Sequence, residues 1–354
     1  MRPARLALVF ACLAGAAWAQ ADGGPQISGT LDVGWLHSRA GERVRDAIES
    51  GSHTPSVINI QGREALGDGL SAVYRLKYGL SPDANSGIGA TQFASRAQAR
   101  HTYAGISGRF GTLVAGRLGS PIALIKSFDP SGGDMFSAMV ALLPVVPTLA
   151  ANPSYLSNAV RYAAPPIAGV ETFVATGFGP FAGDDAAAGE AQERIGVVTV
   201  RRLAKPLSWI VAHERTRHRG HVARAHVDDD AAALAYETGP WRLTAMAIRS
   251  HRRGVDPAPD HRLDGHAVGI NWSPTAADRL GAQYAVLHDH SLAAADAHSL
   301  ALIYEHALSR RVSAYLGCNV THNDPAARYA ADVFNRPGPG TTATLRGGGL
   351  RLAF

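Results

Sequence analysis

The feature that most constrains this chain is an alternation of period two that returns segment after segment from residue 26 to residue 354. In Ile27-Ser28-Gly29-Thr30-Leu31-Asp32-Val33 an apolar residue or glycine stands at every second position. Over residues 70–78 one face reads Leu70, Ala72, Tyr74, Leu76, Tyr78, while the other carries Ser71, Arg75 and Lys77. Successive side chains of a strand point to opposite faces, so this pattern makes strands with one oily and one polar side. A single such segment fits a soluble antiparallel sheet equally well; the number and rhythm of segments decide more.

Sixteen are read, near 26–38, 52–65, 69–80, 96–107, 110–118, 153–164, 169–179 and 192–203, then 206–218, 222–237, 240–252, 260–273, 278–290, 296–307, 311–322 and 341–354. Tight turns such as Gly67-Asp68-Gly69, Ser107-Gly108-Arg109 and Thr238-Gly239-Pro240 alternate with longer polar loops. An even strand count with short turns on one side and long loops on the other is the layout of a transmembrane antiparallel β-barrel. Size agrees, since about 21 residues per strand and connection accommodate the ~9–11 residues that each strand embeds. The expected fold is all-β, a sixteen-stranded barrel. Leu352-Ala353-Phe354 at its end resembles the assembly signal of outer-membrane barrels.

Composition removes the alternatives. Of the residues 46% are hydrophobic and 18% charged, yet mean hydropathy is -0.04, because apolar residues are dispersed. That excludes a bundle of apolar membrane helices, and the apolar content argues against wholesale disorder. Two cysteines exclude a disulfide scaffold.

Arg2 and Arg5, an apolar run from Leu6 to Ala17, and Ala17-Trp18-Ala19 read as a signal peptide over residues 1–19, cleaved after Ala19. Residues 20–354 are then one exported barrel domain with Cys318 as the sole cysteine. Losing Arg2 and Arg5 lowers the formal net charge from +5 to +3. With no basic patch interleaved with aromatics, nucleic acid is not an expected partner.

The motifs narrow the class. Gly29-Thr30-Leu31-Asp32-Val33-Gly34, Gly62-Arg63-Glu64-Ala65-Leu66-Gly67-Asp68-Gly69-Leu70, and Arg100-His101-Thr102-Tyr103-Ala104-Gly105-Ile106 running to Gly116-Arg117 occur in order. Ser157-Asn158-Ala159-Val160-Arg161-Tyr162 follows. In this order and spacing the chain resembles the Gram-negative general porins, in particular the betaproteobacterial sixteen-stranded trimeric porins. The resemblance implies a homotrimer in the outer membrane, in contact with its lipid and lipopolysaccharide. It also implies that residues 119–152, after the fifth strand, fold into the barrel as a constriction loop opposite basic wall residues. A connection of this length is itself a sign of a functional or packed segment.

Here the chain departs from the family. Residues 135–151 are almost wholly apolar, which fits either packing of the loop on the barrel wall or a narrower, less polar eyelet. Asp129 and Asp134 are the loop's only carboxylates. Arg100 matches the family's basic wall residue, whereas two further family arginines fall on Val57 and Tyr155. Alternation turns Arg75, Lys77 and Arg161 inward, where they either compensate or serve only as solvated lumen residues, which any barrel contains. The candidate constriction residues are Asp32, Arg75, Lys77, Arg100, Asp129, Asp134, Tyr155 and Arg161.

Catalytic and metal motifs are missing: there is no G-x-S-x-G, Walker loop, G-x-G-x-x-G or H-E-x-x-H. His213, His218, His221 and His226 cluster with Arg215, Arg217, Arg219 and Arg224. Those arginines repel cations, so a solvated extracellular loop that gains positive charge in acid suits the cluster better than a metal site, with lipopolysaccharide phosphate as a further contact. No enzyme activity and no cofactor are expected. The reading is a passive, water-filled channel for ions and small hydrophilic solutes with a mild anion preference. Its rival is a structural or adhesive barrel whose bore the apolar loop occludes.

Overall fold

The computed structural model describes residues 24–84, 99–132, 135–142, 155–179, 194–217, 225–254 and 260–354. The expected signal peptide lies outside them. Among the described residues seventeen strands follow one another: β1 (Gln26–Ala40), β2 (Arg43–Ser50), β3 (Val57–Gly67), β4 (Leu70–Gly79), β5 (Ala99–Gly108), β6 (Gly111–Gly119), β7 (Tyr155–Ala163), β8 (Val170–Phe178) and β9 (Arg194–Arg202). Then come β10 (Leu207–Arg217), β11 (His226–Thr238), β12 (Trp241–Arg253), β13 (His261–Trp272), β14 (Asp278–Asp289), β15 (Ala297–Ala307), β16 (Val312–Asn323) and β17 (Ala343–Ala353). Apart from β2 and β3, which are not partners of each other, each pairs antiparallel with its neighbour in sequence, and β1 pairs with β17 from Thr30–Ala353 to Ala40–Ala343. Closure leaves no open edge, the condition for crossing a bilayer with strands.

β2 and β3 both pair with β1, β2 along residues 33–40 and β3 along residues 26–30. They are two halves of one barrel strand interrupted at residues 51–56, so the barrel has sixteen staves. Alternation predicts this stave over 52–65 alone; the structure adds residues 43–50 to it. The pattern of β2 hides its strand: register puts Val44, Asp46 and Ile48 on one face and Arg45, Ala47 and Glu49 on the other, so neither face is purely apolar. Gly41, with φ +66°, supplies the tight turn that a side chain would strain.

The oily face of the barrel points outward. Val174, Val211, Leu234, Val268, Leu300, Leu316 and Leu350 are all exposed. At the short-turn end, Trp241 and Trp272 stack with ring centroids 5.5 Å apart, close to the outward Tyr304. Aromatics at the edge of an apolar band are the girdle of a membrane barrel. No helix of the described residues is long and apolar enough to cross a membrane.

Apolar residues also gather inside. After β6, a 3-10 helix (Pro121–Phe128) and a one-turn helix α1 (Ala138–Leu142) lie within the bore. The first rests against β8–β12 and α1 against β13–β16.

Candidate functional site: an anchored inner loop and a cationic wall

The inner loop owes its seat to small wall residues. Ile125, Phe128, Met139 and Leu142 share one buried cluster with inward-facing Ala212, Ala231, Ala233, Ala267, Ala285 and Ala301. Alanine methyls leave the space that these large side chains fill, and dense packing of this kind is what fixes an apolar segment in place. A second cluster joins Met135 and Phe136 to Leu36, Ile303, Tyr315 and Leu345.

Polar contacts lock the same loop. Asp129 Oδ1 accepts from the Ser131 backbone N–H at 2.8 Å and from its hydroxyl. Asp129 Oδ2 accepts from the Ser137 hydroxyl and, at 3.3 Å, from Gln283 Nε2 of β14. The Pro130 carbonyl accepts from Asn271 Nδ2 at 2.9 Å and Arg279 Nη1 at 3.0 Å. Arg242 Nη2 donates to the Ser127 carbonyl at 2.9 Å. Ser120, where the chain turns inward, donates to Glu214 Oε2 at 2.7 Å. Each bond satisfies a buried group that would otherwise be costly.

Asp32 has a parallel task. It is buried on β1, and its carboxylate accepts from the backbone N–H of Ser52 and of Thr54, both at 3.0 Å, and from Tyr315 Oη at 2.8 Å. These bonds hold the 51–56 interruption inside the barrel. There the Ser52 carbonyl accepts from the Met135 backbone N–H at 3.3 Å. His53 lies 5.0 Å from the Tyr315 ring and contacts Glu305, which also accepts from Arg279 at 2.8 Å and Arg351 at 3.1 Å. Asp32 and Asp129 are therefore not brought to the cationic wall; each anchors a segment inside the bore. Asp134 lies outside the described residues.

The remaining candidates do converge. Register places Arg75 of β4 opposite Tyr103 of β5, and Lys77 opposite His101. Arg161 of β7 sits opposite Val114, its guanidinium carbon 5.7 Å from the Tyr103 ring centroid. Such cation–aromatic contacts hold a charge without neutralising it. Arg75 donates from Nε to Asn59 Oδ1 at 2.6 Å, where Val57 of the same strand, buried, lies one inward position away.

Arg100 is the extra residue of a bulge, where pairing steps from Lys77–His101 to Tyr78–Ala99. Its Nη1 reaches Tyr155 Oη at 3.5 Å. The Tyr155 ring meets His101 edge-on at 5.2 Å and Arg117 at 5.6 Å. Arg75, Lys77, Arg161 and Arg100 all act electrostatically on His101, so the four form one basic cluster. Sequence reasoning missed Arg201 of β9, which is buried, bonded to Glu171 at 2.6 Å and 5.1 Å from the Phe173 ring. Alternation along Val197-Val198-Thr199-Val200-Arg201 would have turned it inward.

Residues 6–326 match the family model described as Gram-negative porin. The chain belongs to that family. Porins are passive channels rather than enzymes, and this porin is an outer-membrane protein. Its fold is similar to that of the anion-selective porin of Comamonas acidovorans, with a TM-score of 0.79 at 20% identity over 94% of this chain and 99% of that one. OmpF of Salmonella typhi aligns with a TM-score of 0.67 at 11% identity over 93% and 97%. A trimer form of OmpT of Vibrio cholerae gives 0.65 at 13% over 94% and 99%. The major outer membrane protein P.IA of Neisseria meningitidis is 41% identical over 81 residues, which span 23% of this porin and 18% of that relative.

The His/Arg group noted in the sequence sits partly on strands rather than in a loop. His213 of β10 contacts Asp230 of β11 at 2.8 Å, and Arg215 contacts Asp228 at 2.8 Å. Register extends the first row across the outer wall as His213–Asp230–Arg249–Asp264–His288. His218, His221, Arg219 and Arg224 lie outside the described residues. No group of three or more His, Cys, Asp or Glu among the described residues is placed to hold a metal ion.

Proposed function

We propose that this porin forms a water-filled channel for ions and small hydrophilic solutes, with a preference for anions. The observation that carries this reading is the asymmetry of charge in the bore. Arg75, Lys77, Arg100 and Arg161 gather around His101 on the inner wall, whereas the loop carboxylate Asp129 spends both oxygens on hydrogen bonds. A wall of one sign raises the local concentration of the opposite ion. That the Comamonas relative is named anion-selective supports the same reading.

A signal peptide over residues 1–19, a constriction formed by residues 119–152 and assembly as a homotrimer complete the proposal. The trimer form of the Vibrio relative supports the last. The outward rows of Arg, His and Asp at the loop end of β10–β14 suit the phosphates of lipopolysaccharide, because guanidinium matches phosphate geometry.

The apolar clusters inside the bore favour a second reading, an occluded barrel with a structural role. One experiment separates the two. Refolded protein in a planar bilayer under a KCl gradient is expected to give large conductance steps with an anion-favouring reversal potential. Cation-favouring steps would overturn the charge assignment, and silence from folded, inserted protein would favour the occluded barrel.

A further inference from the structure

Two imidazoles face each other on the outer surface of the barrel, near its loop end. His298 of β15 and His322 of β16 are directly opposite partners in the antiparallel register. Their ring centroids are 4.9 Å apart, with planes inclined by 27°, and both residues are exposed. Opposed Cβ atoms in an antiparallel pair stand ~4.5–5.5 Å apart, a span from which two imidazole nitrogens reach one ion at ~2.0–2.1 Å. The pair is invisible as a motif because only strand pairing unites it.

The surroundings favour a cation. Nδ1 of His322 lies 3.1 Å from Thr342 Oγ1. In the tautomer that donates from Nδ1 to this hydroxyl, the Nε2 lone pair is left for a ligand, and an outer hydrogen bond of this kind orients metal-binding histidines generally. One rung toward the loops, the Asp324 backbone N–H donates to the Asp296 carbonyl at 3.0 Å. Strand alternation places both carboxylates on the face that carries the histidines; Asp324 is exposed and Asp296 half-buried. Asp296 also contacts His288 at 2.9 Å. The outward cation Arg346 stands two outward rungs away, opposite Cys318.

We propose that His298 and His322 form a two-histidine clamp for a borderline divalent transition cation such as Zn2+, Cu2+ or Ni2+. Paired imidazole suits these ions, whereas Mg2+ and Ca2+ require oxygen donors. With two protein ligands, the ion keeps positions for exchangeable water, so the clamp is a surface binding site rather than a structural centre.

Refolded full-length protein in detergent micelles, titrated calorimetrically with ZnCl2 at neutral pH, tests this. One Zn2+ equivalent is expected, weakened by about tenfold or more in His298→Gln and in His322→Gln. His266→Gln serves as the control, because Val286 separates His266 from His298 along the same outer row; it should bind as the parent does. Cu2+ electron paramagnetic resonance should show two imidazole nitrogens in the parent and fewer in either variant. Both side chains are exposed, so circular dichroism and heat-modifiable gel migration should report folded barrels throughout. Parent-like affinity and stoichiometry in the double variant would overturn the clamp, as would a parent that binds no tighter than that variant.

Discussion

Phe136 lies directly over Gly317: a β-carbon added at Gly317 would stand 2.6 Å from the aromatic ring. The ring also meets Tyr315 edge-on at 6.1 Å. The inner loop is thus held at this point by an absence of side chain on β16. Gly317→Val is expected to cost about 1–3 kcal/mol through overpacking and to displace the loop tip. Urea midpoints in detergent and open-channel noise in bilayers measure the two effects, and unchanged values for both would contradict the contact.

Asp129 separates a charge role from an anchoring role. Asp129→Ala leaves Gln283 and two serines without their acceptor, at a cost of about 1–3 kcal/mol. Stability should fall and current noise should rise, while the reversal potential stays near the parent value. A large shift of reversal potential would instead place the Asp129 charge in the ion path.

The cationic wall makes the opposite prediction. Arg75→Glu and Arg161→Glu should each move the reversal potential toward cations, and the double variant should move it further. The effect should shrink as salt rises, since screening lengths fall from ~10 Å at 0.1 M to ~3 Å at 1 M. Reversal potentials taken at both concentrations provide the check. Arg201→Ala adds a stability cost, because it strips Glu171 of its bonded partner.

Tyr329, on the connection between β16 and β17, gives a pH test outside the strands. Burial, with Asp289 and Asp296 nearby, pushes its phenol above the usual tyrosine range. The folded state therefore holds this proton more tightly than the unfolded chain does. Stability is unaffected below about pH 10, the unfolded value, and falls as pH rises beyond it. Tyr329→Phe has no proton to lose, so its alkaline decline in melting temperature should be shallower than the parent's.

Most of the fold was legible because period-two alternation survives wherever one face meets lipid and the other water. Parity alone turns Arg75, Lys77 and Arg161 inward, and register aligns them with Tyr103, His101 and Val114. β2 was missed because both of its faces mix charged and apolar residues. The tasks of Asp32 and Asp129 were illegible for a different reason. Their partners, Tyr315 and Gln283, lie far along the chain, and carboxylates in a lumen sequence read as pore charge until their hydrogen bonds are traced. The apolar segments Pro121–Phe128 and Ala138–Leu142 posed the same difficulty, since their seat is spread over alanines on five strands.

Those alanines carry a consequence for how such a channel changes in calibre. The loop stands wherever the wall's methyl groups stop it, so the cross-section of the aqueous path is graded by the barrel rather than by the loop. Exchanging one seat alanine for valine advances the loop toward the basic wall by little more than the width of a methyl group. Solute size limits can therefore be retuned in small steps at positions that no solute ever touches.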